Sequence, residues 1–193
     1  MARPRKVSDD KIFESVMTVM MRRGPADWTL ADVAKEAGLT AGALVQRFGS
    51  KRALQVLLTK LFADGLPAML VEMRRAHPSP LGALRAYARH IAGLAPSGEM
   101  FAHHLSYLQL DLSDPELHSH FLRQALATRD YIRSLLDEAV TAGELPAATD
   151  TTELTRRVEV TLTGSMFTWA TYQEGPSVDW MTHDLDVLLA TVR

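Results

Sequence analysis

The sequence TLADVAKEAGLTAGALVQRFGSK, residues 29–51, contains the signals of two short helices with a single glycine between them. Thr29 and Asp32 form a capping-box pattern at the start of the first helix, with Asp in place of the usual Glu. Gly38 marks the end of that helix, because glycine adopts the left-handed conformation of a helix C-terminus without a Cβ penalty. Thr40 is the expected N-cap of the second helix. Two short helices joined by a tight turn are therefore predicted.

The apolar residues of these helices are spaced so that they can meet in one small core. Leu44 and Phe48 lie four residues apart on one face of the second helix. They would pack on Val33, Ala34 and Ala37 of the first helix. Two helices packed in this way, with a capped helix on each side, form a helix-turn-helix, whose second helix lies in the DNA major groove while helix N-termini and nearby Lys and Arg hold phosphates. The alternative is a helical adaptor that uses the same helices for protein contact.

Apolar residues recur at helical spacing along the whole chain, and no segment has the alternating pattern of a strand. A helix capped by Ser8 precedes the motif and ends at RRGP (22–25), and an amphipathic helix follows it over about 51–75. Later helices, separated by breaks rich in Pro, Gly and Ser, are predicted at roughly 81–95, 99–110, 115–143, 151–173 and 178–191. We expect an all-α fold, with an N-terminal helix-turn-helix domain over residues 1–52 and a helical domain over residues 53–193.

Charge is distributed unevenly between these two parts. Residues 1–52 hold 10 Lys and Arg against 6 Asp and Glu, whereas residues 53–193 hold 11 against 17. A basic head on an acidic body is expected of a protein whose head binds a polyanion. Chance variation in solvated charge is the alternative.

The composition limits the chemistry and the location of the protein. The chain has no cysteine, which excludes disulfides, thiolate metal sites and cysteine nucleophiles. The segment MARPRKVSDD has no apolar stretch of the kind found in secretory signals. The apolar run from Leu57 to Val71 is interrupted by Lys60 and Asp64. We expect a soluble cytoplasmic protein with no membrane partner.

No arrangement of residues in the sequence points to catalysis or to a cofactor. The sequence has no Gly-rich phosphate loop, no G-x-S-x-G and no H-E-x-x-H motif. His103, His104, His118 and His120 lie on successive predicted helices, so a zinc site in a small α-helical metalloenzyme is the remaining enzyme hypothesis. Adjacent helical residues point about 100° apart, which favours surface or pocket-lining histidines. No metal, cofactor or enzyme activity is predicted.

Residues 28–54, WTLADVAKEAGLTAGALVQRFGSKRAL, resemble the DNA-binding signature of the TetR family of bacterial transcriptional regulators. The agreement runs from Thr29 to Lys51 without a gap. The resemblance implies an N-terminal helix-turn-helix domain followed by a helical ligand-binding and dimerisation domain. It also implies a homodimeric regulator, most often a repressor, that binds a palindromic operator in double-stranded DNA and is released by a small-molecule effector. The matching positions are Thr29, Val33, Ala34, Ala37, Gly38, Leu39, Thr40, Gly42, Leu44, Arg47, Phe48, Ser50 and Lys51.

One position departs from the pattern of the family. Val45 stands where the family usually has a Tyr that contacts a backbone phosphate, and a valine cannot donate a hydrogen bond. The charge of Arg47 is expected to compensate. Thr40, Arg47 and Lys51 are therefore the expected phosphate contacts.

The rest of the expected DNA-binding surface carries few polar groups. Gln46 is expected to contact an adenine, and Ala43 or Val45 a thymine methyl group, so DNA shape would supply more of the specificity. An N-terminal basic arm would follow the backbone or enter a minor groove, with ordinary solvated charge as the alternative. The complete predicted DNA-binding set is Arg3, Arg5, Lys6, Thr29, Thr40, Ala41, Gly42, Ala43, Val45, Gln46, Arg47 and Lys51.

The resemblance also implies functions for the rear helices. Apolar stripes on the last two helices fit a dimer interface in which two helices from each subunit form a four-helix bundle. The alternative is that these stripes belong to the core of the monomer. The predicted interface residues are Val158, Leu162, Ser165, Trp169, Trp180, Leu185, Leu188 and Val192. A pocket for a moderately hydrophobic effector is predicted from mostly apolar and aromatic residues with a few polar ends. These are Met69, Tyr87, Ile91, Phe101, His104, Tyr107, Leu108, Phe121, Gln124, Thr128, Tyr131 and Met166.

Overall fold

Short polar side chains mark where the helices of this chain begin. Eight of them each accept a hydrogen bond from the main-chain N–H three residues further on: Ser8, Thr29, Thr40, Ser50, Ser79, Ser97, Asp114 and Asp150. Each such bond satisfies one of the N–H groups that have no partner inside the first turn of a helix. The helix starts are therefore encoded locally.

The structure, a computed structural model, describes residues 7–192, apart from the side chains of Pro25 and Ala26. Over these residues it contains nine α-helices and no strand, which confirms the predicted all-α fold. The helices are α1 (Asp9–Asp27), α2 (Leu30–Ala37), α3 (Ala41–Phe48), α4 (Lys51–Arg75), α5 (Pro80–Leu94), α6 (Gly98–Ser113), α7 (Pro115–Thr141), α8 (Thr151–Tyr172) and α9 (Ser177–Ala190).

The first helix contains the break that the sequence predicted at RRGP. Gly24 leaves the helical region, with φ 71° and ψ 174°, so α1 is kinked there. A Cβ atom at Gly24 would lie 2.7 Å from the ring of His103. The backbone conformation favours glycine, and a side chain at this position would also force the His103 ring to move.

The chain divides into two compact units, each with its own core. The first unit contains the described residues up to Phe62 together with Ala102–Phe121, and the second contains Ala63–Phe101 together with the described residues from Leu122 onward. These units are discontinuous in sequence, unlike the predicted domains 1–52 and 53–193. The first unit includes the start of α4 and parts of α6 and α7, which the sequence pattern assigned to the rear domain.

The core of the first unit joins the helix-turn-helix to the helices on either side. Within it α1 packs on α2, and α2 packs on α3. Trp28, between α1 and α2, is fully buried in this core. The other buried residues are Ile12, Val16, Val19, Val33, Ala34, Ala37, Leu44, Leu54 and Leu58.

The core of the second unit is larger and centres on the last two helices. Helix α9 packs on both α8 and α5. The indole N–H of Trp169 donates to the carbonyl oxygen of Gly175 at 2.9 Å, which ties the end of α8 to the loop before α9. Large fully buried side chains in this core are Leu84, Ile132, Leu135, Leu136, Leu154, Met181, Leu185 and Leu189.

Helix α4 is the one helix among the described residues that is long and apolar enough to cross a membrane by length and composition. The sequence prediction had found no such segment, because Lys60 and Asp64 interrupt the apolar run. Core helices of soluble proteins meet the same criterion.

The burial of α3 can be tested with two neighbouring residues. Leu44→Ala is expected to lower the free energy of unfolding by about 2–5 kcal/mol, because it leaves a cavity in the core. Val45 is 49% exposed, so Val45→Ala is expected to change that free energy by less than about 0.5 kcal/mol. Denaturant unfolding measures both variants. A loss in L44A no larger than the loss in V45A would contradict the burial of Leu44.

Candidate nucleic-acid interface

Reciprocal hydrogen bonds fix the start of α2. The N–H of Asp32 donates to the Thr29 hydroxyl oxygen at 3.2 Å, and the N–H of Thr29 donates to the Asp32 carboxylate at 3.0 Å. The Thr29 hydroxyl also donates to that carboxylate at 2.7 Å. This hydroxyl bond is the main reason why the pKa of Asp32 lies below its usual value. The predicted capping box is present, and the Thr29 hydroxyl is used within it.

A tight turn at Gly38 then places α3. Gly38 has φ 70° and ψ 34°, a left-handed conformation that favours glycine. The N–H of Leu39 donates to the carbonyl oxygen of Ala34 at 2.7 Å, which closes the turn. Thr40 caps α3 by accepting from the N–H of Ala43 at 3.2 Å. The orientation of α3 is thus held by bonds at its first residues as well as by its core contacts.

The outward face of α3 is short and nearly uncharged. Leu44 is fully buried, whereas Gly42, Val45 and Gln46 are exposed. Ala41 and Ala43, which the sequence also assigned to the DNA-binding set, are half-buried at the edges of this face. A face of this size and shape can enter a major groove and present one amide and several apolar groups to base edges.

Arg47, a predicted phosphate contact, is engaged by the protein itself. Its guanidinium donates to the carbonyl oxygen of Val7 at 2.7 Å and forms an ion pair with Asp9. It also lies 5.6 Å from the centre of the Phe48 ring. The sequence pattern did not predict the contacts with Val7 and Asp9, because these residues lie about forty positions away from Arg47.

Lys51, another predicted phosphate contact, lies at the first position of α4. Ser50 caps this helix by accepting from the N–H of Ala53 at 3.0 Å. The Lys51 ammonium lies 4.7 Å from the centre of the buried Trp28 ring, within the range of a cation–π interaction. Burial lowers the pKa of Lys51, an effect that the carboxylate of Asp27 opposes.

The three residues of the predicted basic arm, Arg3, Arg5 and Lys6, lie outside the described residues. The first described residue, Val7, is the one whose carbonyl oxygen accepts from Arg47.

Residues 12–56 match the family model TetR_N, which is described as bacterial regulatory proteins of the tetR family. The matched stretch contains the capping box at Thr29, helices α2 and α3 with the turn at Gly38 between them, and the start of α4. This segment, which makes up less than half of the chain, is thus similar to the DNA-binding part of that family. The HTH-type transcriptional regulator SrpR of Pseudomonas putida is 29% identical to this chain over 145 residues, which are 72% of the chain and 64% of SrpR. The match thus spans less than two thirds of that relative.

Solved structures of transcriptional regulators share the fold of the chain. A TetR transcription regulator from Haloarcula marismortui has a TM-score of 0.77 at 12% identity, covering 95% of this chain and 96% of that one. FadR from Bacillus subtilis, in complex with stearoyl-CoA, has a TM-score of 0.73 at 18% identity, covering 96% and 100%. FadR from Thermus thermophilus, in complex with lauroyl-CoA, has a TM-score of 0.59 at 21% identity, covering 93% and 92%.

The predicted effector-pocket residues are divided between the two units of the chain. Four belong to the first unit: His104, Tyr107, Leu108 and Phe121. In the second unit Tyr87, Tyr131 and Met166 are buried in the core, while Met69, Ile91, Phe101, Gln124 and Thr128 are half-buried. The rings of Tyr87 and Tyr131 meet edge to face at 5.9 Å. The Tyr131 hydroxyl is buried and has no hydrogen-bond partner among the described residues.

Five of the predicted dimer-interface residues lie in the core of the chain itself: Val158, Leu162, Ser165, Trp169 and Leu185. Their side chains are covered by other parts of the second unit, which is the alternative that the sequence left open. Trp180, Leu188 and Val192 are half-buried. The exposed apolar side chains of α8 and α9 are different ones, namely Val160, Phe167, Tyr172 and Val187.

The histidines that the sequence considered as zinc ligands lie in different environments. His103 donates from Nδ1 to the carbonyl oxygen of Met21 at 3.2 Å, near the end of α1. His104 and His118 are exposed. No group of three His, Asp or Glu side chains within the part of the chain that the structure describes could hold a metal ion.

An ion-pair cluster at the start of α4 was missed by the sequence prediction. The Arg52 guanidinium donates to both carboxylate oxygens of Asp114, at 2.8–3.1 Å, and pairs with Glu116 at 2.9 Å. These bonds raise the pKa of Arg52 and lower that of Asp114. Asp114 also accepts from the N–H groups of Glu116 and Leu117 at the start of α7. The sequence offered no signal for this cluster beyond the charges themselves.

Asp111 on α6 is half-buried, and its burial raises its pKa from 3.8 to about 6. Folded protein therefore holds this proton more tightly than unfolded protein between pH 3.8 and about 6. Above about pH 6 the charged, half-buried carboxylate of Asp111 lowers the free energy of unfolding. As the pH falls from about 6 towards 3.8, protonation of Asp111 removes this destabilisation.

Asp111→Asn is accordingly expected to raise the free energy of unfolding at pH 7, by an amount that shrinks as the pH is lowered through 6 towards 4. Denaturant unfolding at several pH values measures this difference between the variant and the native chain. Asp130→Asn, at an exposed position on α7, is the control and should show no comparable trend. A pH-independent effect of D111N would contradict the raised pKa.

Proposed function

We propose that this protein is a DNA-binding transcriptional regulator of the TetR family that places α3 in the major groove. The main support is the exposed, nearly uncharged face of α3, held by a buried Leu44 and capped at Thr40. The match of residues 12–56 to the TetR_N model supports the same function.

Recognition of bases would rest mainly on Gln46 and on apolar contacts. The Gln46 amide can pair in a bidentate manner with adenine, and Val45 or Ala43 can contact a thymine methyl group. Because few donors are present on this face, sequence-dependent DNA shape would contribute to specificity.

Phosphates would be held by Lys51, by Thr40 and by the N-terminal turns of helices. Lys51 lies at the start of α4, where main-chain N–H groups and the helix dipole favour an anion. The basic segment Arg3, Arg5 and Lys6 would add contacts outside the major groove.

The regulator would act as a homodimer, most simply as a cytoplasmic repressor on a palindromic operator. Helices α8 and α9 supply the surface for this pairing, since Val160, Phe167 and Val187 are exposed apolar side chains on them. A two-fold symmetric dimer presents two copies of α3, so that operator symmetry would mirror protein symmetry.

The second unit would bind a moderately hydrophobic effector that releases the operator. The buried, unpartnered hydroxyl of Tyr131 would offer a polar contact within apolar surroundings. Two FadR structures that share the fold contain stearoyl-CoA and lauroyl-CoA, so acyl chains are suitable first probes. Such a ligand weakens DNA binding only if it binds the DNA-free conformation more tightly.

DNA binding and its contact types can be tested with two variants. The native chain is expected to protect two symmetric half-sites in a DNA fragment upstream of its own gene, with affinity falling steeply as salt rises. Lys51→Ala should weaken binding on all sequences and reduce the salt slope by about 0.9. Gln46→Ala should instead relax the preference at one base pair in each half-site. Footprinting and fluorescence anisotropy measure these effects.

The proposal fails if no genomic fragment is bound, or if binding does not depend on salt. A single protected half-site would contradict the dimer. If Lys51→Ala changed the preference at one base pair, its assignment as a phosphate contact would be wrong.

Effector release is expected for a ligand with an apolar chain, because most predicted pocket residues are apolar or aromatic. A series of fatty acids and acyl-CoAs of increasing chain length should show release of labelled operator at one range of lengths. Tyr131→Phe should shift the half-maximal ligand concentration upward, since it removes the hydroxyl that the ligand would pair with. Release by none of these compounds, with a polar metabolite active instead, would contradict the hydrophobic pocket.

A further inference from the structure

A carboxylate at the start of α1 pairs with the guanidinium at the end of α3. Nη1 of Arg47 donates to the carbonyl oxygen of Val7 at 2.7 Å, and Nη2 pairs with the carboxylate of Asp9. Asp9 is the first residue of α1, whereas Arg47 lies in the last turn of α3. The cation that the sequence predicted as a phosphate contact is therefore already paired with an anion of the chain.

The position of Arg47 on α3 places it at the side of the outward face. Gln46 on that face is exposed, and the next residue of a helix points about 100° away from it. A major groove is only wide enough for one helix, so the two phosphate backbones run along the sides of that helix. With α3 in the groove, the Arg47 guanidinium would lie beside a backbone rather than over the base edges.

The ion pair is open enough to solvent for its anion to be exchanged. The Arg47 side chain is 29% exposed and the Asp9 side chain is 55% exposed. Exposed ion pairs are weak, because water and dissolved ions screen them. A phosphate offers a guanidinium the same type of charge-assisted hydrogen bond as a carboxylate. Asp9 would keep part of its stabilisation without Arg47, since the N-terminal turn of a helix favours a negative charge.

The other contacts of Arg47 would survive such an exchange. Val7 uses one of the five N–H donors of the guanidinium. The guanidinium also lies 5.6 Å from the centre of the Phe48 ring, and that ring lies 6.0 Å from the ring of Phe13 on α1. These contacts hold the side chain in place independently of Asp9. A phosphate that replaced Asp9 would meet a guanidinium that is already oriented.

We propose that Asp9 is an internal competitor for Arg47 that lowers the affinity of the protein for DNA. In the free protein Asp9 pairs with Arg47, and in the DNA complex a phosphate oxygen takes the place of Asp9. The inference rests on the proposed function, because it concerns a contact of that DNA-binding surface. The free energy needed to break the ion pair, and the repulsion between Asp9 and the phosphate, both subtract from the affinity. Asp9 thus sets the affinity from outside α3.

Two neighbouring acidic residues supply a matched pair for the test. Asp9 and Asp10 both lie in the first turn of α1, but only Asp9 is the partner of Arg47. D9N and D10N on the full chain remove the same charge from adjacent positions. Fluorescence anisotropy with a duplex that carries the protected genomic sequence measures their affinities. D9N should bind this duplex more tightly than D10N by up to about fivefold, which is the most that an exposed ion pair is commonly worth.

A double-mutant cycle shows whether Arg47 carries the effect of Asp9. R47A should bind the duplex more weakly than the native chain and reduce the salt slope by about 0.9, the value for one phosphate contact. In the R47A background D9N should gain no more affinity than D10N, because no guanidinium is left to release. The difference between D9N and D10N should therefore be confined to chains that contain Arg47.

A second variant separates these effects from folding. R47Q removes the charge but keeps an N–H donor for the Val7 carbonyl oxygen, so it should show the same coupling with D9N as R47A. Thermal unfolding of each variant gives its folded fraction at the assay temperature. If R47A does not fold, the cycle with R47Q takes its place with the same expectation.

The possible results distinguish the competitor from other roles of the ion pair. Binding of D9N that is no tighter than that of D10N would overturn the inference, and the pair would then only brace α3. An equal gain for D9N with and without Arg47 would also overturn it, since simple repulsion of DNA would explain that gain. Both results leave DNA binding by the native chain in place. Failure of the native chain to bind any genomic fragment would overturn the proposed function and the inference with it.

Discussion

The burial of Leu44 against the small side chains of α2 is the contact on which the arrangement of the first unit depends. Helix α3 has only eight residues, too few to be stable alone in water. It persists because Leu44 enters the same core as Val33 and Ala37. With Leu44 directed inward, helical geometry directs Gly42 and Gln46 outward. The outward face is therefore a consequence of the core contact.

The positive charge of the first unit is less available to a polyanion than a count of its Lys and Arg residues suggests. Four arginines of this unit already pair with carboxylates of the chain: Arg22, Arg23, Arg47 and Arg52. A paired guanidinium contributes less to the attraction of a polyanion, because the carboxylate beside it cancels its field. The attraction of this unit for a polyanion therefore depends less on these four arginines than their number suggests.

The sequence predicted the helices of this fold well because their ends are local. The capping box at Thr29, the left-handed turn at Gly38 and the cap at Thr40 each involve residues within a few positions of one another. The partners of Arg47 and Arg52 could not be predicted in this way. They lie about forty and sixty residues away, and only the tertiary fold brings them together.

The apolar stripes of α8 show why an interface is harder to predict than a core. Hydrophobic periodicity identifies a face that is buried, but not which chain covers it. Val158, Leu162 and Trp169 form one stripe, and the chain itself covers it. Val160 and Phe167 form a second stripe, seven residues apart and rotated about 200° from the first, and both are exposed. The same outward side of α8 also carries the exposed polar residues Arg156, Thr163 and Thr171. Two exposed apolar side chains among polar ones do not give the periodic signal of a buried face, so the sequence pattern could not single them out.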